Sequence, residues 1–111
     1  MKILFDQGAP VPLRLALSGH EVTTAHERGW GGMKNGDLLR AAETEGFEVM
    51  VTTDQNLQYQ QNLGTRRLAI LVLMTTDWRK IRSHSAYVLS AIGTLNPGDY
   101  RELAFPPASS Q

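Results

Sequence analysis

The segment Phe47-Glu48-Val49-Met50-Val51-Thr52-Thr53-Asp54-Gln55-Asn56 is an apolar, β-branched run that ends in two threonines, an aspartate and two amide side chains. This pattern predicts a buried strand that delivers polar groups to its carboxyl end. The chain opens with a shorter version of the pattern, Lys2-Ile3-Leu4-Phe5-Asp6-Gln7-Gly8. If the two strands are parallel neighbours, Asp6 and Asp54 meet at the carboxyl edge of a sheet, where open α/β sheets bind ligands. We therefore expect a carboxylate site for a divalent metal.

Predicted strands and helices alternate along the chain, which favours the α/β class with a mainly parallel sheet of four to five strands. The apolar run at residues 68–74 indicates a strand buried on both faces, as in a parallel sheet covered by helices. A brief, partly polar strand at 20–24 is expected nearer an edge, and 100–105 is expected to be a last strand or a packed tail. Helices are predicted at residues 13–17, 37–45 and 78–92, with a short helix or ordered loop at 57–63. Asn35 is expected to cap the second of these helices, Asp77 the one from 78, and Gly19 and Gly46 to end two of them.

The composition is that of one globular domain, which we assign to residues 1–105, followed by a disordered tail at 106–111. Eleven basic and eleven acidic residues cancel, so any binding to nucleic acid must depend on a local patch. The absence of cysteine excludes disulfides, a thiolate nucleophile and a cysteine-based zinc site. No signal peptide or membrane-spanning run is apparent, and the expected location is cytoplasmic.

Four aspartates fall where a predicted strand stops or a predicted helix begins: Asp6, Asp37, Asp54 and Asp77. A hard cation such as Mg²⁺ takes oxygen ligands, commonly one or two carboxylates together with waters and substrate phosphate oxygens. Aspartate is also favoured at helix starts, where its oxygen accepts from free backbone amides. Capping is the stronger interpretation for Asp37 and Asp77 taken singly, metal binding is the stronger one for Asp6, and the two are evenly balanced for Asp54.

Four segments together resemble the small stand-alone PIN-like proteins, which are related to the VapC-type toxin ribonucleases. The segments are Lys2-Ile3-Leu4-Phe5-Asp6-Gln7, Gly19-His20-Glu21-Val22, Gly36-Asp37-Leu38-Leu39 and Val51-Thr52-Thr53-Asp54-Gln55-Asn56. The resemblance covers most of residues 1–74 and lies in the order and spacing of the motifs. It implies a Rossmann-like three-layer sandwich and the activity of a metal-dependent nuclease.

Carried over by position, the resemblance makes Asp6, Asp37 and Asp54 the catalytic acids that bind Mg²⁺ or Mn²⁺, and Thr53 a hydroxyl that supports the site. Many relatives have a further aspartate two residues after the one that matches Asp54, where this chain has Asn56. An amide oxygen can still ligate a metal but brings no charge. Asp77 is a candidate to take the place of that missing acid.

Five of the eleven basic residues fall between residues 66 and 82: Arg66, Arg67, Arg79, Lys80 and Arg82. Together with Trp78 they could line a nucleic-acid track, in which arginine pairs with phosphate oxygens and the indole stacks on a base. Lys34, in a glycine-rich loop predicted at residues 25–36, is a further candidate for phosphate contact. The alternative is a solvated rim with the indole packed into the core.

The leading hypothesis is a Mg²⁺- or Mn²⁺-dependent endoribonuclease that acts on RNA as the toxin of a toxin–antitoxin pair. Its expected partners are a small antitoxin protein and a second copy of the chain. A second hypothesis keeps the fold but weakens the metal site, which gives a PIN-like module that binds nucleic acid or protein; Asn56 favours it. A third, ranked lower, is a receiver-like phosphoacceptor domain, which usually carries paired acids after its first strand, whereas Gln7 follows Asp6 here.

Overall fold

Every neighbouring pair of strands in the central sheet is parallel. The computed structural model describes residues 1–57 and 66–106, and within them the sheet has five strands in the order β2-β1-β3-β4-β5. The strands are β1 (Lys2–Phe5), β2 (Glu21–Thr24), β3 (Val49–Thr52), β4 (Ala69–Leu73) and β5 (Tyr100–Leu103). The predicted α/β class is confirmed, and residues 100–103 are a strand rather than a packed tail.

Side chains alternate between the two faces of the sheet, and each face has its own apolar core. Leu4 and Met50 pack on the face covered by helix α1 (Asn35–Thr44). Phe5 and Val51 pack on the opposite face, against a 3₁₀ helix (Val11–Ala16) and the helices α2 (Trp78–Ser83) and α3 (Ser85–Gly93). All residues of β3 and β4 are buried, whereas β2 lies at an edge of the sheet, as predicted for both.

The predicted helix at residues 78–92 is wrong in one respect, because His84 divides it into α2 and α3. His84 has φ −122° and ψ 30°, and its ring nitrogen Nδ1 lies 2.9 Å from the carbonyl oxygen of Lys80. A side chain that bonds the backbone carbonyl of the preceding turn competes with the regular helical pattern. The predicted cap of α2 is confirmed, because Asp77 Oδ1 accepts from the Arg79 amide at 3.0 Å.

The predicted cap of α1 is also wrong. Asn35 is the first residue of the helix rather than its cap, and Lys34 occupies the cap position without a side-chain hydrogen bond to the helix. Gly46, with φ +82°, directly follows the cap residue of α1 and ends that helix as predicted. Gly19 also has a positive φ, +88°, but the 3₁₀ helix already ends at Ala16, so Gly19 belongs to the turn that follows.

Two predicted segments lie largely outside the described residues. The helix or loop expected at 57–63 is described only at Leu57, which is buried, and the tail expected at 106–111 is described only at Pro106. In the described part of the chain, no helix is both long and apolar enough to cross a bilayer.

Candidate functional site

The first and third strands bring two of the predicted acids to one edge of the sheet. Strand β1 pairs directly with β3, with Phe5 opposite Val51, and the amide of Asp6 donates to the Val51 carbonyl at 3.1 Å. Asp54 follows the end of β3 by two residues. Because the strands are parallel, Asp6 and Asp54 leave the sheet at the same carboxyl edge, as the sequence predicts.

A buried hydroxyl links the two aspartates. Thr52 is fully buried, and its hydroxyl donates to Asp6 Oδ2 while its oxygen accepts from the backbone amide of Asp54 at 3.0 Å. The other oxygen of Asp6, Oδ1, accepts from the amides of Gly8 at 2.9 Å and Ala9 at 3.2 Å. These bonds fix the Asp6 carboxylate relative to the end of β3.

The carboxylate of Asp54 is held from two sides. Its Oδ1 accepts from the backbone amide of Asn56 at 3.0 Å, and its Oδ2 accepts from the side-chain amide of Asn35 at 3.3 Å. Asn35 is the first residue of α1, the next helix or strand after β2 along the chain. The site therefore combines the ends of two strands with the start of one helix.

The electrostatics of the site disfavour negative charge on Asp6. Burial raises the pKa of the Asp6 carboxyl above its ordinary value. The hydrogen bonds from Thr52, Gly8 and Ala9 act in the opposite direction but do not cancel the effect of burial, and the nearby Asp54 adds a smaller upward push. A cation bound beside this pair of carboxylates would offset both the cost of burying a negative charge on Asp6 and the repulsion from Asp54.

A cleft of about 90 Å³ opens beside Asp6. Its walls are the end of β1, the glycine-rich loop and the first turns of α1; they comprise Asp6, Gln7, Ala25, Trp30, Gly31, Met33, Asn35 and Leu38. The side-chain amide of Gln7 donates to the Gly31 carbonyl, and the indole of Trp30 packs edge-on to Phe47 at 6.1 Å between ring centroids. The loop is thus held at Gln7, after β1, and at Phe47, which precedes β3.

Asp37, the third predicted acid, is exposed and ion-paired with Arg40 three residues along α1. It is absent from the described lining of the cleft. Within residues 1–57 and 66–106, no three histidine or acidic side chains are grouped so as to hold a metal ion. The structure therefore brings together Asp6 and Asp54, through Thr52, and does not group Asp37 with them.

The remaining predicted site residues have local structural contacts. The hydroxyl of Thr53 donates to the Gly8 carbonyl at 3.2 Å, and a Cβ at Gly8 would collide with that hydroxyl, so Thr53 shapes the turn after β1. Asn56 contributes its backbone amide to Asp54. Asp77 is exposed and caps α2.

Strand β4 separates the two halves of the predicted basic cluster. Arg66 and Arg67 precede β4 and so lie at the amino end of the sheet, and the Arg66 guanidinium donates to Glu43 at 3.1 Å. Arg79, Lys80 and Arg82 follow β4 on α2, at the same edge as Asp6 and Asp54. Lys34 is exposed next to Asn35.

Sequence reasoning missed Thr52 and Asn35. A threonine hydroxyl often accepts from the backbone amide two residues later, which forms a local turn. Thr52 could therefore have been found from its position two residues before Asp54. Asn35 is interpreted from the sequence as a helix cap and not as a residue of the site. Only the packing of α1 against the strand ends shows that its amide contacts Asp54 instead.

Two carboxylates with free acceptor positions fit a divalent cation. An ionised carboxylate offers about four lone-pair positions. Asp6 accepts three hydrogen bonds from the described residues and Asp54 accepts two, so both retain capacity for a metal. Mg²⁺ sites commonly use one or two carboxylates and take their other ligands from water and substrate phosphates.

Comparison of the chain with protein-family models, curated proteins and solved structures found no match. The established architecture is an α/β fold with a parallel sheet of five strands among the described residues. The function must therefore be inferred from the chemistry of this edge of the sheet.

Proposed function

We propose that this protein is a Mg²⁺- or Mn²⁺-dependent ribonuclease in which Asp6 and Asp54 hold the metal. The observation that supports the proposal most strongly is the hydrogen-bonded link from Asp6 through Thr52 to Asp54. It holds two acids at the carboxyl edge of a parallel sheet, where ligands of such folds bind, and one of them, Asp6, lines a cleft. The resemblance to PIN-like toxins favours RNA as substrate and a small antitoxin as partner.

Each residue has a distinct part in this proposal. A bound divalent ion would polarise a phosphodiester and lower the pKa of a water molecule. Asp6 and Asp54 supply the negative charge that attracts the ion, and Thr52 fixes the position of Asp6. The bonds to Gly8 and Ala9 prevent the Asp6 carboxylate from rotating away.

The basic residues of α2 are suited to bind the substrate backbone. Arg79 and Arg82 are exposed and Lys80 is partly exposed, on a helix that begins at the same edge of the sheet. Cationic side chains neutralise phosphates, and this contribution to affinity weakens as salt rises. A polynucleotide that crosses this edge would reach the acids and the cations together.

A second function is a binding module without efficient catalysis. Two observations favour it: Asp37 is paired with Arg40, and the position of a further acid in many PIN-like relatives is Asn56. Such a site would carry two acids rather than three or four. It would bind a metal more weakly while it keeps the basic surface.

The test compares the wild type with Asp6→Asn and Asp54→Asn, by Mn²⁺ titration calorimetry and by cleavage of a mixture of labelled single-stranded RNAs. Asp77→Asn is the matched control, because asparagine caps a helix as well as aspartate does. We expect both site variants to lose at least about 100-fold in metal affinity and in cleavage. Substitution of residues that only hydrogen-bond to metal ligands already costs up to about 100-fold. The control should stay within about 2-fold of the wild type, a difference of about 0.4 kcal/mol.

The outcomes separate the two functions. A wild type that binds Mn²⁺ and RNA without cleaving RNA would favour the binding module. A wild type that binds no Mn²⁺, or site variants that cleave RNA as well as the wild type does, would exclude the metal-dependent nuclease. Circular dichroism of each variant establishes that a loss is not caused by unfolding.

A further inference from the structure

Helix α1 contributes an uncharged side chain to the candidate site. We infer that Asn35, rather than Asp37, is the residue of α1 that serves the site, as a positioning residue for the Asp54 carboxylate. This inference depends on the proposed function for its metal-binding consequences. It replaces the predicted cage of three acids by two acids and one amide.

The contacts of Asn35 point into the site. Its amide nitrogen Nδ2 donates to Asp54 Oδ2 at 3.3 Å, in a partly buried setting. Asn35 also lines the cleft beside Asp6. The Asn56 amide holds Asp54 Oδ1, and the bond from Asn35 to Oδ2 completes the restraint on the rotation of the carboxylate about its last torsion.

The geometry of an α-helix explains why Asp37 cannot take the same part. Two residues correspond to about 200° of rotation, so side chains at positions 35 and 37 leave α1 in nearly opposite directions. Asp37 is accordingly exposed and forms its ion pair with Arg40 on the outer surface of the helix. A donor is also the better partner for Asp54, because a carboxylate at position 35 would place like charges together.

The first experiment measures metal affinity in three full-length proteins by Mn²⁺ titration calorimetry. Removing a group that orients a metal ligand typically weakens binding about 10- to 100-fold, and we expect this loss for Asn35→Ala. Asp37→Asn, which removes a nearby acid of the same helix, is the matched control and should stay within about 2-fold of the wild type. Loss of affinity in Asp37→Asn with wild-type affinity in Asn35→Ala would overturn the inference.

The second experiment uses Asn35→Asp, for which a helix-start role and a positioning role predict opposite results. A carboxylate in the first turn of a helix is normally stabilising, so a purely local role predicts a higher Tm. If Asn35 holds Asp54, the new charge repels it, and the metal-free Tm at pH 7 should fall by about 4–8 °C. Mn²⁺ should then raise the Tm of this variant more than that of the wild type.

The two experiments distinguish failure of the inference from failure of the proposed function. A wild type without Mn²⁺ binding would exclude the metal-dependent nuclease. The metal-free Tm of Asn35→Asp would still test the contact with Asp54. An unchanged or higher metal-free Tm would overturn the inference even if the wild type binds Mn²⁺ and cleaves RNA.

Discussion

The carboxyl and amino ends of the sheet both place acids beside a depression, yet they compensate those acids differently. At the carboxyl end, Asp6 lines a cleft of about 90 Å³. At the amino end, a cavity of about 560 Å³ is lined by Glu43, Glu48 and Arg67 among others. The larger cavity is therefore at the opposite end of the sheet from the candidate site.

Glu43 has a cationic partner, the Arg66 guanidinium, whereas Asp6 has none among its described contacts. Although burial pushes the pKa of Glu43 upward, the amides of Leu68 and Arg67 and the Arg66 guanidinium outweigh it and hold that pKa below its ordinary range. Burial of Asp6 wins instead, because its partners are backbone amides and a hydroxyl and its charged neighbour is another acid. A compensated carboxylate stabilises the fold, whereas an uncompensated one is available to a ligand. Charge compensation is thus a better guide to function here than the size of the cavity.

The largest effect on stability is expected for Thr52→Val. The substitution keeps the shape but leaves the partly buried Asp54 amide without its acceptor and removes a donor from Asp6. We expect a loss of about 1–3 kcal/mol in the free energy of unfolding, measured by urea denaturation, together with weaker Mn²⁺ binding. Thr53→Val is the matched control, since among the described residues the Thr53 hydroxyl bonds only the Gly8 carbonyl. A greater loss in the control would contradict the assignment of Thr52.

Glu43→Gln tests the amino end and should cost about 1–2 kcal/mol at pH 7, because charge-assisted hydrogen bonds become neutral ones. Since the folded pKa of Glu43 lies below its ordinary value of 4.5, its stabilisation is complete above that pH and is lost as the pH falls through the folded pKa. The difference in the free energy of unfolding between wild type and variant should therefore disappear as the pH falls below the folded pKa of Glu43. Mn²⁺ affinity should be unchanged, and a loss of metal binding would show that the amino end takes part in the site. Glu48→Gln, at an exposed acid bonded to the Lys2 amide, is the control.

In the metal-free protein, Asp6→Asn should raise the free energy of unfolding at pH 7, whereas the two preceding substitutions should lower it. The raised pKa means that the folded state binds the proton of Asp6 more tightly than the unfolded state does. Its stabilising contribution is present below the ordinary pKa of 3.8 and is lost as the pH rises through the folded pKa. We expect the variant to gain up to about 1 kcal/mol over the wild type at pH 7 and to lose that advantage near pH 4. Urea denaturation across this pH range measures it, and a variant that is less stable at every pH would refute the prediction.

The smallest effect on stability, within about 0.5 kcal/mol, is expected for Arg82→Ala, but it should change RNA binding. Losing one phosphate contact should reduce the slope of log affinity against log salt by about 0.7 for a single strand. Arg67→Ala is the matched control from the amino end and should leave the slope unchanged. Fluorescence anisotropy with labelled RNA measures both slopes, and an equal change in both variants would place the RNA path across the whole sheet.

Local patterns allowed much of the fold to be predicted. The run Leu68–Met74 predicted a doubly buried strand, and β4 is buried throughout. The strand-then-aspartate pattern predicted that Asp6 and Asp54 share an edge, and β1 is the neighbour of β3. The break at His84 was not predicted because the apolar spacing continues across it, while a single bond to the Lys80 carbonyl accompanies the interruption.

The sequence by itself determined the α/β class, the strand that is buried on both faces and the two acids at the strand ends, because period and strand polarity are properties of consecutive residues. Only the tertiary structure decided that Thr52 contacts Asp6, that Asn35 rather than Asp37 contacts Asp54, and that the basic residues divide between opposite ends. Those facts depend on strand pairing and on the rotation of α1 over the sheet. The two contacts join residues 19 and 46 positions apart, which no local pattern can specify.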